Sequence, residues 1–202
     1  MNPDNLKQNR ISAIILAGGK SSRMNEDKAL IPISGVPLVQ SVARQMETYF
    51  QEVIVSVHSL EPFRFLPYPL VPDKYPGQGP FMGILCGLEA SSHDVNFVIA
   101  CDIPEIDFEF IHYMQSFTDE YEIVVPVSGE DHYEPLFAFY NKSLLPRIED
   151  LLFKQKKRKI LEIFPIAKVK YIPFHGEGWY HNLNTESDLK LYLKEKERSF
   201  GK

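Results

Sequence analysis

The chain has 202 residues, of which 44% are hydrophobic and 24% charged, enough for one globular domain with a sizeable core. Its formal net charge of -5 excludes a polybasic nucleic-acid or membrane-surface binder, because such partners demand clustered positive charge. An acidic chain that handles phosphates must therefore concentrate its cations locally.

Cys86 and Cys101 are the only cysteines and lack a CxxC spacing, so neither a disulfide framework nor a structural zinc site is expected. A reducing cytoplasm is the simplest compartment. Met1 to Arg10 is polar, without the apolar core of a signal peptide, and no run approaches the ~18 apolar residues of a membrane span. We expect neither secretion by that route nor insertion in a membrane, and a flexible N-terminus over residues 1–10.

The first informative stretch is Ile14 to Pro32. The apolar run Ile14-Ile15-Leu16 stops at Ala17-Gly18-Gly19, and a polar segment carrying Lys20, Arg23 and Lys28 follows. Strand, glycine turn and cationic loop in that order suit a phosphate ligand. Adjacent glycines let the backbone approach it, successive N–H groups form an anion-binding concavity, and the cations supply full charges. An ordinary strand-to-helix turn with solvated charges is the alternative. Gly19-Lys20-Ser21 is not a Walker A loop, since Ile14 stands where that motif needs glycine, and Gly77-Gln78-Gly79 runs on to Met82 where a dinucleotide fingerprint needs glycine.

Pro37 followed by Leu38, Val39, Val42, Met46 and Phe50 reads as a helix, and Val53 to Val57 as a buried strand. Strand, helix, strand is a parallel crossover unit. His58, at the end of that second strand, reads as a loop residue. Leu70-Val71-Pro72 is a short strand ending at Asp73, which either caps a turn or faces a ligand. A Gly- and Pro-rich loop then leads to a helix from about Phe81 to Ala90. Asn96 to Ala100 is an apolar strand running into Cys101-Asp102-Ile103-Pro104, with Asp102 at the strand exit where open α/β sheets hold functional groups. Asp102 is either a magnesium ligand, since that ion needs only one or two protein carboxylates, or a cap for the next helix.

Asp107 to Phe117 reads as a helix, Glu122 to Val127 and Leu136 to Tyr140 as strands, with His132 and Glu134 in the loop between them. Lys154 to Lys159 is the basic run, a solvated face or the local cation source that the composition requires. Near the end, Thr185 with Asp188 forms a capping pattern before a helix, accompanied by Asn182 and Asn184. The elements together specify a three-layer, Rossmann-like α/β architecture with a mainly parallel sheet, in a single domain over residues 1–202.

Four of these stretches carry a resemblance. Leu16-Ala17-Gly18-Gly19-Lys20-Ser21-Ser22-Arg23-Met24 with Asp27-Lys28, the GPxxGI sequence Gly79 to Ile84 behind Asp73, the CDxP sequence Cys101 to Pro104, and Asn182 to Leu189 (NxNTxxDL) resemble the motifs of the molybdenum cofactor guanylyltransferases. Asn25 departs from that family's usual glycine, mildly, since asparagine tolerates a left-handed backbone. The resemblance implies a nucleotidyltransferase joining GMP from GTP to molybdopterin, with Mg2+ as cofactor. It implies catalytic roles for Arg23, Lys28 and Asp102, with Asp102 on the metal. It places Leu16, Ala17, Gly18, Gly19, Lys28, Asp73 and Asp102 on the nucleotide, and Gly79, Pro80, Glu134, Arg158, Asn182 and Asn184 on the pterin side. GTP and molybdopterin are then the partners, without nucleic acid or membrane, and transient contact with cofactor-synthesis proteins or apo-molybdoenzymes is compatible with it. Transfer from CTP or to another acceptor phosphate, and a non-catalytic nucleotide or cofactor carrier, remain the alternatives.

Overall fold

A computed structural model describes residues 10–17, 27–33, 35–127, 132–174, 188 and 191–192. In chain order it forms β1 (Ile11–Leu16), a hairpin of β2 (Pro32–Ile33) and β3 (Val36–Pro37), α1 (Leu38–Met46), β4 (Glu52–Val57) and β5 (Leu70–Pro72). Then come α2 (Pro80–Ala90), β6 (Val95–Ala100), α3 (Phe108–Gln115), β7 (Ile123–Val127), β8 (Phe137–Asn141), α4 (Leu145–Glu149) and β9 (Val169–Pro173).

The main sheet has seven strands in the order β5-β4-β1-β6-β8-β7-β9. Every strand runs the same way except β8, which pairs antiparallel with both β6 and β7. β1 is buried along its whole length, and its alternation divides the core: Ala13 and Ile15 face one apolar cluster, Ile14 and Leu16 the other. Helix α1 presents Val39, Val42 and Met46 to the first cluster, and α3 adds Ile111 and Met114. Helices α2 and α4 cover the second face, where Phe81 to Leu88 of α2 are buried without a break. This is the expected three-layer, mainly parallel arrangement.

Two glycines set how closely α2 lies on the sheet. A Cβ at Gly87 would stand 2.5 Å from Ile14 Cγ2, and one at Gly83 would stand 2.9 Å from Ser56 Oγ. Ile14 is fully buried in the central strand and has no free side to turn toward. Overpacking costs about 1–3 kcal/mol, against a helix-propensity gain of about 1 kcal/mol for alanine. Gly87→Ala is therefore expected to lose net stability, by roughly 1 kcal/mol, read as a lower urea midpoint; a raised midpoint would mean that Ile14 gives way freely.

From β1 the chain moves outward through β4 to β5, then crosses to β6 on the opposite side of β1. The carboxyl ends of β1 and β6 thus form a topological switch point, where open α/β sheets leave a crevice for ligands. Because β8 runs the other way, its entry, Glu134 to Leu136, reaches the same edge as the exits of the parallel strands.

Candidate active site

Backbone hydrogen bonds close this edge of the sheet. Ala17 N donates to Ser56 O at 2.8 Å, Cys101 N to Leu16 O at 3.2 Å, Ala100 N to Leu136 O at 2.9 Å and Asp73 N to Val57 O at 2.9 Å. Around the closed edge lies a cavity of about 220 Å³. Leu16 and Ala17 contribute from β1, Asp27 to Ala29 from the following segment, Pro80 from the start of α2, Ala100 to Asp102 from the exit of β6, and Leu136 from the entry of β8.

Lys28 is presented by a single 3₁₀ turn, Lys28–Leu30. Asp27 caps it: Ala29 N donates to Asp27 Oδ1 at 3.2 Å, and Leu30 N to Asp27 O at 2.9 Å. Ala29 anchors the turn by burial, being only 1% exposed. The cap satisfies a turn donor and leaves the second carboxylate oxygen of Asp27, buried and without a hydrogen-bond partner, toward His58.

Asp102 sits just beyond β6, on a turn closed by Ile103 N donating to Ala100 O at 3.4 Å, with the next loop tied to α1 by Gln45 Nε2 donating to Pro104 O at 3.1 Å. It does not cap the next helix. Asp107 does, accepting from Phe110 N at 2.9 Å. Asp102 Oδ1 is buried and has no hydrogen-bond partner among the described residues. Burial pushes this carboxyl above its usual range, while the Lys28 charge and a backbone N–H pull it back. Burial likewise raises Asp27, against the Ala29 N–H and the His58 charge, and raises Asp73, against His58. The result is a cleft edge holding several carboxyl groups that gain from a nearby cation. Burial also raises the Cys101 thiol, so it is a wall of the cavity rather than a nucleophile.

Of the residues singled out from sequence, Leu16, Ala17, Lys28, Pro80 and Asp102 line this one cavity. Gly79 stands at the start of α2 with a φ of 75°, and Gly77 with 80°, so the loop after Asp73 needs glycine for its left-handed backbone rather than for space. Asp73 is beside this group, close to α2: its Oδ1 would be 3.8 Å from a Cβ at Gly83. Glu134 is partly buried in the loop entering β8, its N–H donating to Pro126 O at 3.1 Å, and the neighbouring Pro135 is held by the Tyr140 hydroxyl donating to its carbonyl at 2.8 Å. Arg158 is exposed and does not line the cavity; in its basic run Lys154 pairs with Asp150 and Lys157 with Glu162, each at 2.9 Å. Gly18, Gly19, Arg23, Asn182 and Asn184 lie outside the described residues, as do Lys20 and the capping residue Thr185.

Sequence reading missed the roles of Asp27 and His58. Asp27 carried a signal in its own position, an aspartate immediately before a short turn, whereas His58 follows β4, beyond α1 in the chain, and meets Asp27 only in the fold.

Among the described residues no helix is long and apolar enough to cross a membrane, and no three His, Cys, Asp or Glu side chains gather as a metal cluster. Magnesium does not require such a cluster, and the orphaned Asp102 oxygen beside Lys28 fits the single carboxylate that the ion takes when phosphates and water complete its shell.

Comparison with known proteins agrees with this geometry. A family model described as "MobA-like NTP transferase domain" matches residues 13–170. A protein named "Probable molybdenum cofactor guanylyltransferase" from Carboxydothermus hydrogenoformans is 32% identical over 191 residues, covering 91% of this chain and 95% of that protein. One of the same name from Pelotomaculum thermopropionicum is 35% identical over 185 residues, covering 88% and 89%. Among solved structures, the molybdopterin-guanine dinucleotide biosynthesis protein A of Archaeoglobus fulgidus superposes with a TM-score of 0.79 at 23% identity, covering 93% of this chain and 99% of that one, a likeness of fold.

Proposed function

The chain belongs to the MobA-like NTP transferase family, and from that premise we propose that it transfers GMP from GTP to molybdopterin, releasing pyrophosphate. The observation that carries this reading is the convergence of Leu16, Ala17, Lys28, Pro80 and Asp102 on one cavity at the switch point of the sheet. The names borne by the relatives supply the base and the acceptor.

In this reading a terminal phosphate oxygen of the pterin attacks the α-phosphorus of GTP in line and pyrophosphate leaves. Such chemistry asks the protein mainly for positioning and charge stabilisation, not for a nucleophile. The backbone from Leu16 to Gly19 holds the nucleotide, together with Asp73. Lys28 and Arg23 neutralise the triphosphate and the leaving pyrophosphate. Asp102 would hold the divalent ion that nucleotidyltransferases of this family generally use, here Mg2+ by its preference for a hard carboxylate oxygen. Bound there, the ion would supply polarisation of the phosphoryl oxygen and a template for both partners. Gly79, Pro80, Glu134, Arg158, Asn182 and Asn184 face the pterin, and residues 1–202 act as a single domain in a reducing cytoplasm.

The test is a competition. With molybdopterin, magnesium and equal concentrations of GTP, CTP and ATP, the expected product is the guanine dinucleotide, favoured at least tenfold, with one pyrophosphate released per product. A cytidine product would keep the chemistry and change the substrate. Nucleotide binding without pyrophosphate release would favour a carrier instead.

A further inference from the structure

His58 follows β4 at the cleft edge and stands between carboxylates from two other segments. Its Nδ1 lies 3.7 Å from Asp27 Oδ2, the oxygen that is buried and lacks a hydrogen-bond partner among the described residues. Asp73, just after the adjacent β5, donates its N–H to the carbonyl of Val57, the residue before His58, at 2.9 Å, and an imidazole charge there opposes the burial that raises its carboxyl pKa. The ring meets Phe63 edge to face, at 6.1 Å between centroids and 88° between planes. The charged groups of the turn that carries Phe63, Glu61 and Arg64, pair with each other at 2.6 Å. Among the described residues, Asp27 and Asp73 are therefore the charges that this ring is placed to answer. Through its other oxygen Asp27 caps the turn that presents Lys28, so contacts run continuously from His58 to the nucleotide cation of the proposed reaction.

We propose that His58 is a positioning residue: as an imidazolium it neutralises Asp27 and Asp73 together and holds the Lys28 turn in its nucleotide-binding geometry, so that nucleotide affinity is linked to a proton on this ring. This rests on the guanylyltransferase reading for the identity of the ligand. A neutral ring would leave two half-buried carboxylates uncompensated beside an arriving triphosphate, and like charges at close range disfavour binding. If the protonated form binds nucleotide more tightly, binding takes up a proton and affinity falls as pH rises.

Two measurements decide it. Calorimetric affinity for GTP with magnesium, from about pH 6 to about pH 8, is compared for the wild type, His58→Asn and His58→Lys. The γ-phosphate titrates in the same range and contributes equally to all three, so the readout is the difference in slope. The wild type is expected to weaken about tenfold more than His58→Asn across the range, with His58→Lys tight and as flat as His58→Asn. A His58→Asn protein with the wild-type slope overturns the proposal. The second measurement needs no nucleotide: the Ala29 amide resonance, which reports the Asp27 cap, should move with pH through the imidazole range in the wild type and stay still in His58→Asn. Equal movement in both proteins also overturns it. A wild type that binds no GTP at any pH would refute the guanylyltransferase reading, and the amide titration alone would then decide the link between His58 and the Lys28 turn.

Discussion

Asp102→Asn is expected to lower guanylyl transfer by about 100- to 1000-fold, the usual scale for removing one preorganised electrostatic group, while leaving the fold intact and no less stable. The two halves have a common cause. Asp102 has a buried oxygen with no hydrogen-bond partner, and burial raises its carboxyl pKa against the opposing pull of Lys28. A carboxyl whose pKa is raised by folding favours the folded state in its protonated form, and that contribution is lost as pH rises through the folded pKa. At neutral pH the ionised group is thus a net cost to the fold, which the neutral and nearly isosteric asparagine removes. The discriminating readout is the dependence of GTP affinity on magnesium: the wild type should bind more tightly with magnesium than with a chelator, and Asp102→Asn should show no difference. A variant that kept both the activity and the magnesium dependence would remove Asp102 from the proposed metal site.

Much of the scaffold is legible in the sequence because its signals are local. Ile14 to Leu16 and Phe97 to Ala100 are short apolar runs, and both lie in strands, β1 ending at Leu16 and β6 at Ala100, two residues before Asp102. Leu38, Val39, Val42 and Met46 repeat at helical spacing and all are buried. What stayed hidden depends on pairing between distant segments. Nothing in Leu136 to Tyr140 says that this strand runs against its neighbours, yet that reversal brings Leu136 to the wall of the cavity. Val169–Pro173 has three partly buried or exposed side chains before Ile172 and carries no clear alternation, so it becomes recognisable as a strand only through its ladder with β7. The α4 helix is too short to show a period. His58 is the sharpest case in the site: alone it is a loop histidine, and its meaning comes from Asp27, at the cap of the Lys28 turn, and from Asp73, which follows β5 beside β4.

Lys28→Ala is expected to weaken GTP binding at least tenfold and to move the acid limb of the activity profile toward higher pH. The first effect is the loss of a full charge at the triphosphate, since hydrogen bonds to charged groups contribute about 1.5–3 kcal/mol. The second follows from the cleft itself. Lys28 lowers the Asp102 pKa, opposing the burial that raises it. Without the ammonium group Asp102 stays protonated to higher pH, so the form able to hold a cation appears later as pH rises. Backbone placement should survive the change, because Asp27 caps the turn through the Ala29 amide and the buried Ala29 side chain anchors it, neither of which involves the Lys28 side chain. Lys28→Arg separates the two effects: it restores the charge near Asp102, and with it the acid limb, but its broad planar head replaces a compact ammonium in a cavity of about 220 Å³. It should therefore recover the pH profile more fully than the affinity. Measured across pH under saturating and limiting GTP, an unchanged acid limb in Lys28→Ala would show that Lys28 acts on the nucleotide alone, without tuning Asp102.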